Sequence, residues 1–148
     1  MSIEPLRVYL ADDDEDDCIL FQEALAEVND KIDLVISRDG EELMGTLEEN
    51  VSQPPSVLFL DLNMPRKSGL ECLKEMRQNE KFRNIPVVIF STSADADYIE
   101  KTFDHGANYY ARKPGTFIFL KKLIEKVTSI DWANEPRPQV FEKFFLHP

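Results

Sequence analysis

The feature that most constrains the fold is a short, unbroken apolar segment at residues 57–60, which ends at the carboxylate of Asp61. Four consecutive apolar residues before a polar break predict a strand that is buried on both faces. Asp61 would then stand at the carboxyl end of a central strand, where open α/β sheets bind their ligands. The alternative is a helix cap, because short polar side chains often begin helices.

Five strand patterns alternate with five amphipathic helix patterns along the chain. The strands are predicted at residues 6–11, 32–37, 57–60, 85–90 and 108–112, and apolar residues at helical spacing follow each of them. This alternation predicts a parallel sheet with helices on both faces. A chain of 148 residues suggests one domain. We place it at residues 1–130, and the change of composition after Ile130 marks residues 131–148 as an aromatic-rich C-terminal tail.

Charge and composition restrict the classes of partner. The formal net charge of −11 disfavours nucleic acid and anionic membranes, and favours cations or a basic protein surface. No apolar run approaches the length of a membrane span, and residues 1–5 hold neither a basic region nor an apolar signal core, so we predict a cytoplasmic protein. Cys18 and Cys72 fall within helix patterns, which favours small core residues over a disulfide or a zinc site.

Side chains able to do chemistry follow four of the predicted strands. They are Asp12 and Asp13 after the first strand, Asp61 after the third, Ser91 after the fourth and Lys113 after the fifth. The carboxyl ends of parallel strands share one edge of a sheet, so these groups are expected to converge. Neighbouring carboxylates resist ionisation, and a hard cation such as Mg²⁺ removes that difficulty. With a hydroxyl and an ammonium nearby, the edge is suited to phosphoryl transfer onto a carboxylate.

These residues, in this order, resemble the receiver domain of bacterial two-component response regulators. The matching motifs are Asp12-Asp13, Leu60-Asp61-Leu62-Asn63-Met64-Pro65, Ser91 and Lys113-Pro114. The resemblance covers roughly residues 6–130. It implies a flavodoxin-like, doubly wound, five-stranded sheet with strand order 2-1-3-4-5. The remaining residues are too few for an effector domain, so the output would be a protein contact or onward phosphotransfer.

The resemblance also implies who donates the phosphoryl group and what binds the metal. Asp61 would accept the group from a sensor histidine kinase or a histidine phosphotransfer protein. Mg²⁺ would be bound by the carboxylates of Asp12, Asp13 and Asp61 and by the backbone carbonyl of Asn63. The phosphoryl group would be lost slowly by hydrolysis, without enzymatic turnover of a substrate.

The resemblance further implies a conformational switch. Ser91 and Lys113 would contact the phosphoryl oxygens, and the Lys113–Pro114 peptide bond would be cis, a form that proline permits at low cost. Tyr110 would turn inward as Ser91 moves, which would change the face of the fourth helix and fifth strand. Alternation along the strand places Tyr109 on the opposite face of the sheet.

The acidic run at residues 12–17 has other interpretations. Asp16 and Asp17 are explained as acids in the first turn of a helix, where they complement the helix dipole. An EF-hand calcium loop fits the offsets of several acids, but Asp17 stands where that loop requires glycine.

Two other functions remain as alternatives. A phosphatase of the haloacid-dehalogenase type also uses an Asp nucleophile and Mg²⁺, but it needs a second Asp two residues on, where this chain has Asn63. A phosphorylation-independent scaffold is the other. A serine hydrolase is disfavoured, because Ser91 lies in no Gly-x-Ser-x-Gly turn.

The tail carries an apolar stripe at helical spacing, formed by Val140, Phe141, Phe144 and Phe145. Exposed aromatic patches rarely remain solvated. The stripe therefore packs either on its own domain or across a homodimer, and both remain open. An aromatic-rich tail also resembles stand-alone regulators that are paired with bacterial phytochrome-type kinases.

Overall fold

The computed structural model describes residues 6–148, which form one sheet flanked by helices. The strands are β1 Arg7–Ala11, β2 Asp33–Ser37, β3 Val57–Leu60, β4 Val87–Ser91, β5 Tyr109–Arg112 and β6 Phe145–Leu146. The helices are α1 Glu15–Val28, α2 Gly40–Glu49, α3 Gly69–Arg77, α4 Ala96–Asp104 and α5 Phe117–Thr128, and a 3-10 helix covers Phe141–Lys143. The predicted βα alternation is confirmed.

The sheet has one strand more than the sequence predicts. Its order is β2-β1-β3-β4-β5-β6 and each neighbouring pair is parallel, so the expected order 2-1-3-4-5 is extended by a sixth strand at the β5 edge. Tyr110 pairs with Phe145, and Ala111 with Leu146. An open strand edge presents unpaired backbone groups, and the tail of this chain satisfies them at β5.

Two apolar layers cover the sheet. α1 and α5 pack on one face through residues such as Phe21, Leu25 and Leu123. α2, α3 and α4 cover the other face. β3 is buried along its whole length, as its continuous apolar sequence predicts. Cys18 and Cys72 are buried free thiols, which confirms their core role.

Short polar side chains begin every α-helix and so fix the loops at the strand ends. Asp14, Asp39, Asp95 and Thr116 each accept a hydrogen bond from a backbone amide in the first turn of α1, α2, α4 and α5. Ser68 begins α3 with a complete capping box. The loops that leave β1, β3 and β4 therefore each end at a capped helix start.

The helices in the described part of the chain are not suited to span a membrane. No helix within residues 6–148 is long and apolar enough to cross a bilayer. Residues 1–5, on which the predicted absence of a signal sequence rests, lie outside the described residues.

Candidate functional site

Backbone hydrogen bonds bring the ends of the strands to one edge of the sheet. The amide of Asp12 donates to Ser37 O at 3.0 Å, and the amide of Asp61 donates to Ala11 O at 2.9 Å. The amide of Lys113 donates to Ser91 O at 2.8 Å. The pairing of adjacent strands thus aligns Asp12, Asp61, Ser91 and Lys113 at the same edge.

Three carboxylates meet there. Asp12, Asp13 and Asp61 each offer an oxygen, and the three oxygens lie within 4.8 Å of one another. Asp12 is fully buried and Asp61 is 6% exposed, whereas Asp13 faces solvent. Burial raises the pKa of Asp12 to about 6, and the charge of Asp61 acts in the same direction against the opposing effect of Lys113. The helix-cap alternative for Asp61 fails, because Ser68 caps the helix that follows.

Lys113 is the cation that holds this cluster together. Its Nζ lies 2.7 Å from Asp12 Oδ2, 2.9 Å from Asp17 Oδ2 and 3.2 Å from Asp61 Oδ2. Burial by itself lowers the pKa of Lys113, but Asp12, Asp17 and Asp61 together outweigh burial and raise it. The lysine is therefore charged at neutral pH and is placed within reach of any group bound to Asp61.

The donor set fits a hard divalent cation. Three carboxylates contact the ammonium of Lys113 and a fourth, that of Asp13, lies beside them, so the cluster has more acidic groups than basic ones. Asp12 Oδ2 is buried, and within residues 6–148 no donor is aligned to form a hydrogen bond with it, although Lys113 Nζ lies close. Oxygen ligands at such spacing suit Mg²⁺, Mn²⁺ or Ca²⁺ in preference to softer metals.

The loop after β3 curls back over the acidic edge. The amide of Asn63 points to Asp61 Oδ1 at 3.4 Å, and Asn63 itself is exposed. Arg66 has a φ of +68°, a left-handed conformation that non-glycine residues rarely adopt and that often occurs near functional sites. At Gly69 a Cβ would collide with the backbone carbonyl of Asp61, so only glycine lets α3 begin this close to the site.

Ser91 and Tyr110 lie next to the cluster on β4 and β5. Ser91 is fully buried, and its Oγ accepts a hydrogen bond from Ser93 N at 3.2 Å. Tyr110 is also buried, and its hydroxyl donates to Ser93 O at 2.7 Å. Tyr109 faces the other side of the sheet, where its hydroxyl donates to Glu135 at 2.6 Å. The predicted opposition of the two tyrosines is confirmed.

Two expectations about the site differ from the structure. No peptide bond within residues 6–148 is cis. The Lys113–Pro114 bond is therefore trans, and the predicted cis bond is wrong. For X–Pro bonds the trans form is generally favoured by about 0.5–1 kcal/mol, in line with the bond observed here. Asp17 is more than a helix-starting acid, since it pairs with Lys113. Asp17 follows Asp13 and Asp14 by about one helical turn, so it can face the same site. This spacing was the feature of the sequence that could have predicted its contact with Lys113.

The fold and this acidic edge together define the class of protein. Residues 8–125 match the family model of the response regulator receiver domain. The chain belongs to this family, and its function is that of a receiver in two-component phosphorelay signalling.

Individual members of the family resemble the chain over most of its length. Response regulator Rcp1 of Synechocystis sp. is 33% identical over 129 residues, covering 84% of this chain and 88% of that protein. The structure of the phosphorylated cyanobacterial phytochrome response regulator RcpA superposes with a TM-score of 0.81 at 30% identity, covering 92% of this chain and 100% of that chain. The Mn²⁺-bound form of Rcp1 gives a TM-score of 0.77 at 31% identity, covering 90% and 99%.

Proposed function

We propose that Asp61 accepts a phosphoryl group from a phosphohistidine in the presence of Mg²⁺. One observation carries this proposal: the Asp61 carboxylate lies between Lys113 Nζ at 3.2 Å and the oxygens of Asp12 and Asp13 within 4.8 Å. A nucleophilic carboxylate needs positive charge on both sides when a dianionic group approaches. Lys113 supplies it on one side, and the acidic pair can recruit it on the other.

The transfer requires little of the protein beyond positioning. An oxygen of Asp61 forms a bond to phosphorus while the phosphorus–nitrogen bond of the donor histidine breaks, and the departing imidazole keeps the electron pair. Lys113 faces the oxygens of the transferred group, and the Ser91 hydroxyl lies on the adjacent strand as a donor. Mg²⁺, when bound, neutralises the charge on the transferring oxygens.

The metal would be held by the carboxylates of Asp12, Asp13 and Asp61 and by the backbone carbonyl of Asn63. Exposure of Asp13 supports this assignment, because Mg²⁺ gives up its water shell reluctantly and needs an open side. The solved relative Rcp1 holds Mn²⁺, which is also a hard ion and supports a divalent site. Mg²⁺ is proposed as the ion used here.

Ser91 and Tyr110 form the proposed switch. Phosphorylation of Asp61 draws the Ser91 hydroxyl toward the phosphoryl group, and the ring of Tyr110 responds. Both side chains are already tied to Ser93, through its amide and its carbonyl. A shift at Ser91 therefore reaches Tyr110 through one residue of backbone and changes the face made by α4 and β5.

The proposed donor is a sensor histidine kinase of the phytochrome type, or a histidine phosphotransfer protein that relays from one. Support comes from RcpA, whose structure is described as that of a phytochrome response regulator. The acidic surface fits a donor with a basic docking face. We expect the protein to work in the cytoplasm without direct contact to nucleic acid or membrane. Packing of the tail across a homodimer, which the sequence leaves open beside packing on its own domain, stays a prediction.

Intact-mass analysis tests the proposal. The protein is incubated with Mg²⁺ and a small acyl phosphate, beside Asp61→Asn as the matched control. We expect one phosphoryl increment in the wild type, none in the variant, and none when the metal is removed by a chelator. The same increment in Asp61→Asn, or none in the wild type with Mg²⁺ present, would disprove phosphoryl acceptance at Asp61.

A phosphatase of the haloacid-dehalogenase type is the second candidate. It needs an acid–base carboxyl two residues after the nucleophile, and Asn63 cannot exchange a proton there. The proposed receiver hydrolyses only its own acyl phosphate, and slowly. Sustained release of phosphate from a simple phosphate ester would favour the phosphatase. A phosphorylation-independent scaffold would signal normally as the Asp61→Asn variant.

A further inference from the structure

A second charged cavity lies at the amino-terminal edge of the sheet, opposite the acidic site. It measures about 570 Å³ and is formed by the carboxyl ends of α3 and α4, the loop before β4 and one residue of the tail, and its lining residues are Lys74, Arg77, Gln78, Arg83, Asn84, Asp104, His105, Gly106 and Arg137. Four of the chain's 17 lysines and arginines meet there against a single carboxylate. In a protein with a net charge of −11, this concentration of positive charge is local and unusual.

The guanidinium of Arg77 is held rigidly at this cavity. Its donors reach Gly106 O at 2.9 Å, Ile85 O at 2.9 Å, Arg83 O at 3.2 Å and Asn108 Oδ1 at 3.0 Å. These acceptors are neutral, and within residues 6–148 no carboxylate lies within ion-pair distance of Arg77. The contacts explain why Arg77 is half-buried, since they join α3 to the start of β4 and β5, but none of them is made to a carboxylate.

The tail adds a second guanidinium beside the first. A Cβ placed on Gly106 would collide with Arg137 Nη1, and Arg77 Nε lies 3.3 Å from the same point. Burial, and then the charge of Arg137, lowers the pKa of Arg77 to about 10. Across the described residues the side chain of Arg137 makes no hydrogen bond and no ion pair. Two like charges are therefore adjacent, and within residues 6–148 neither is in ion-pair contact with a carboxylate.

The structural role of Arg77 does not account for Arg137. Arg137 is exposed and lies between Pro136 and Pro138. Its side chain could point to solvent at no cost, yet it lies over Gly106 beside Arg77. Repulsion between adjacent guanidinium groups is relieved when an oxyanion bridges them. The planar fork of Arg137 is free to bind phosphoryl oxygens, and Arg77 offers its charge and its one remaining Nη2–H.

We propose that this cavity binds a small phosphoryl-bearing polyanion that bridges Arg77 and Arg137, with Lys74, Arg83 and His105 around it. The volume is in the range of ordinary small-ligand sites, and the fixed carbonyl contacts of Arg77 prepare one half of the site before binding. Binding would also fasten the tail to α3, because Arg137 belongs to the tail and Arg77 to the domain. The site is independent of phosphorylation at Asp61.

Isothermal titration with inorganic pyrophosphate tests the proposal. The full chain is titrated in metal-free buffer with chelator, so that no cation can recruit the anion to Asp12, Asp13 and Asp61. We expect saturable binding at one site in the wild type. Arg137→Gln should weaken it at least tenfold, because one of the two guanidinium groups is lost. This variant should still fold, since the side chain is exposed and makes no hydrogen bond.

Two controls separate the site from general electrostatics. Lys143→Gln removes one exposed positive charge from the same tail, and Asp61→Asn alters the proposed phosphorylation site. Both should bind pyrophosphate as the wild type does. Equal weakening in Arg137→Gln and Lys143→Gln would reduce the effect to net charge and overturn the proposal. Absence of saturable binding in the wild type, or unchanged binding in Arg137→Gln, would overturn it as well.

Discussion

At the scale of single residues, Asp12 shows most clearly that the site is arranged for a ligand at the expense of stability. It is fully buried, its Oδ2 atom has no aligned hydrogen-bond donor in the described chain, and burial raises its pKa to about 6 from 3.8. Lys113 Nζ lies 2.7 Å from Oδ2 and Asp14 N donates to Oδ1, yet burial still raises the pKa, so the ionised carboxylate destabilises the folded state. Asp12 is therefore better explained by a bound cation than by folding.

We predict that, in the absence of metal, Asp12→Asn raises the free energy of unfolding at pH 7 by about 1–3 kcal/mol. The pKa of Asp12 is higher in the folded state than in the unfolded state, so protonation of Asp12 favours folding. This stabilisation is fully present below about pH 4 and is lost as the pH rises through about 6. Asparagine does not ionise, so the gain should be largest above pH 6 and should vanish near pH 4. Urea unfolding across this range, with chelator present, measures it.

The same variant provides its own control with metal. Mg²⁺ should raise the stability of the wild type and have little effect on Asp12→Asn, because a ligand that binds only the folded state stabilises it. A variant less stable than the wild type in chelator at pH 7 would contradict the view that Asp12 is strained in the free protein.

Lys113 gives the second prediction at this scale. Removing its charge with Lys113→Gln leaves Asp12, Asp17 and Asp61 facing one another without a cation. Divalent ions should then bind several-fold more tightly, because no ammonium competes for the carboxylates. Phosphoryl incorporation should fall at least tenfold, because the group that faces the transferred oxygens is lost. Calorimetric titration of Mg²⁺ and intact-mass kinetics measure the two effects separately.

The opposed signs of these effects make the test specific. Lys121→Gln is the matched control, since Lys121 pairs on the surface with Glu27 and lies outside the acidic cluster. It should change neither quantity. If Lys113→Gln weakened metal binding and phosphorylation together, the lysine would act by maintaining the structure of the edge, and the assigned role would be wrong.

At the scale of elements, the tail from Phe141 to Leu146 is the part of the chain that differs most from the expected fold. Phe144 is fully buried, with its ring 5.2 Å from that of Phe103 and its carbonyl accepting from Tyr110 N at 3.0 Å. Phe145 stacks on Tyr110 with ring centroids 5.8 Å apart. The tail thus adds to the core and to the sheet of its own domain.

We predict that Phe144→Ala lowers the free energy of unfolding by about 3–5 kcal/mol, the usual cost of truncating a fully buried aromatic side chain. Phe141→Ala is the matched control three residues away. Its ring also contacts Phe103 but is 45% exposed, so its loss should cost about 1 kcal/mol or less. Urea unfolding of both variants measures the difference. Equal effects would mean that Phe144 is not buried in solution.

The tail also shows where local sequence patterns stop being informative. Val140, Phe141, Phe144 and Phe145 have helical spacing, yet they form one 3-10 turn followed by a two-residue strand. A helix this short is marginal by itself, and the open edge of β5 offers backbone partners that a helix would not use. That choice depends on tertiary contacts, which no window of sequence contains.

At the scale of the whole molecule, the fold and the convergence of the site residues could both be predicted, because both depend on buried parallel strands. Buried parallel strands are continuous apolar runs, so β3 and the position of Asp61 at its end could be read directly. The pairing of Asp17 with Lys113 spans 96 residues and depends on how α1 lies against β5, and the trans bond at Pro114 depends on its loop. Arg77 and Arg137 likewise meet only through the folded tail.

The last prediction concerns coupling between the acidic edge and the tail, and it rests on the proposed phosphorylation. Tyr110 is tied to Ser93 through its hydroxyl, to Phe144 through its amide and to Phe145 by stacking. Tyr110 is already buried, so a movement of its ring on phosphorylation disturbs its stacking with Phe145. We therefore expect backbone amides of residues 140–146 to exchange faster after phosphorylation, which hydrogen-exchange mass spectrometry measures.

Two controls make this expectation specific to the switch. Asp61→Asn treated with the same phosphodonor should keep the slow exchange of the tail, and so should a Ser91→Ala variant that still takes up the phosphoryl group, because its hydroxyl can no longer be drawn toward it. β2, at the far edge of the sheet, should exchange equally in all samples. Faster exchange in both β2 and the tail would indicate general loosening of the domain. Unchanged exchange in the phosphorylated wild type would mean that the tail is a fixed part of the core, and that the output surface lies elsewhere.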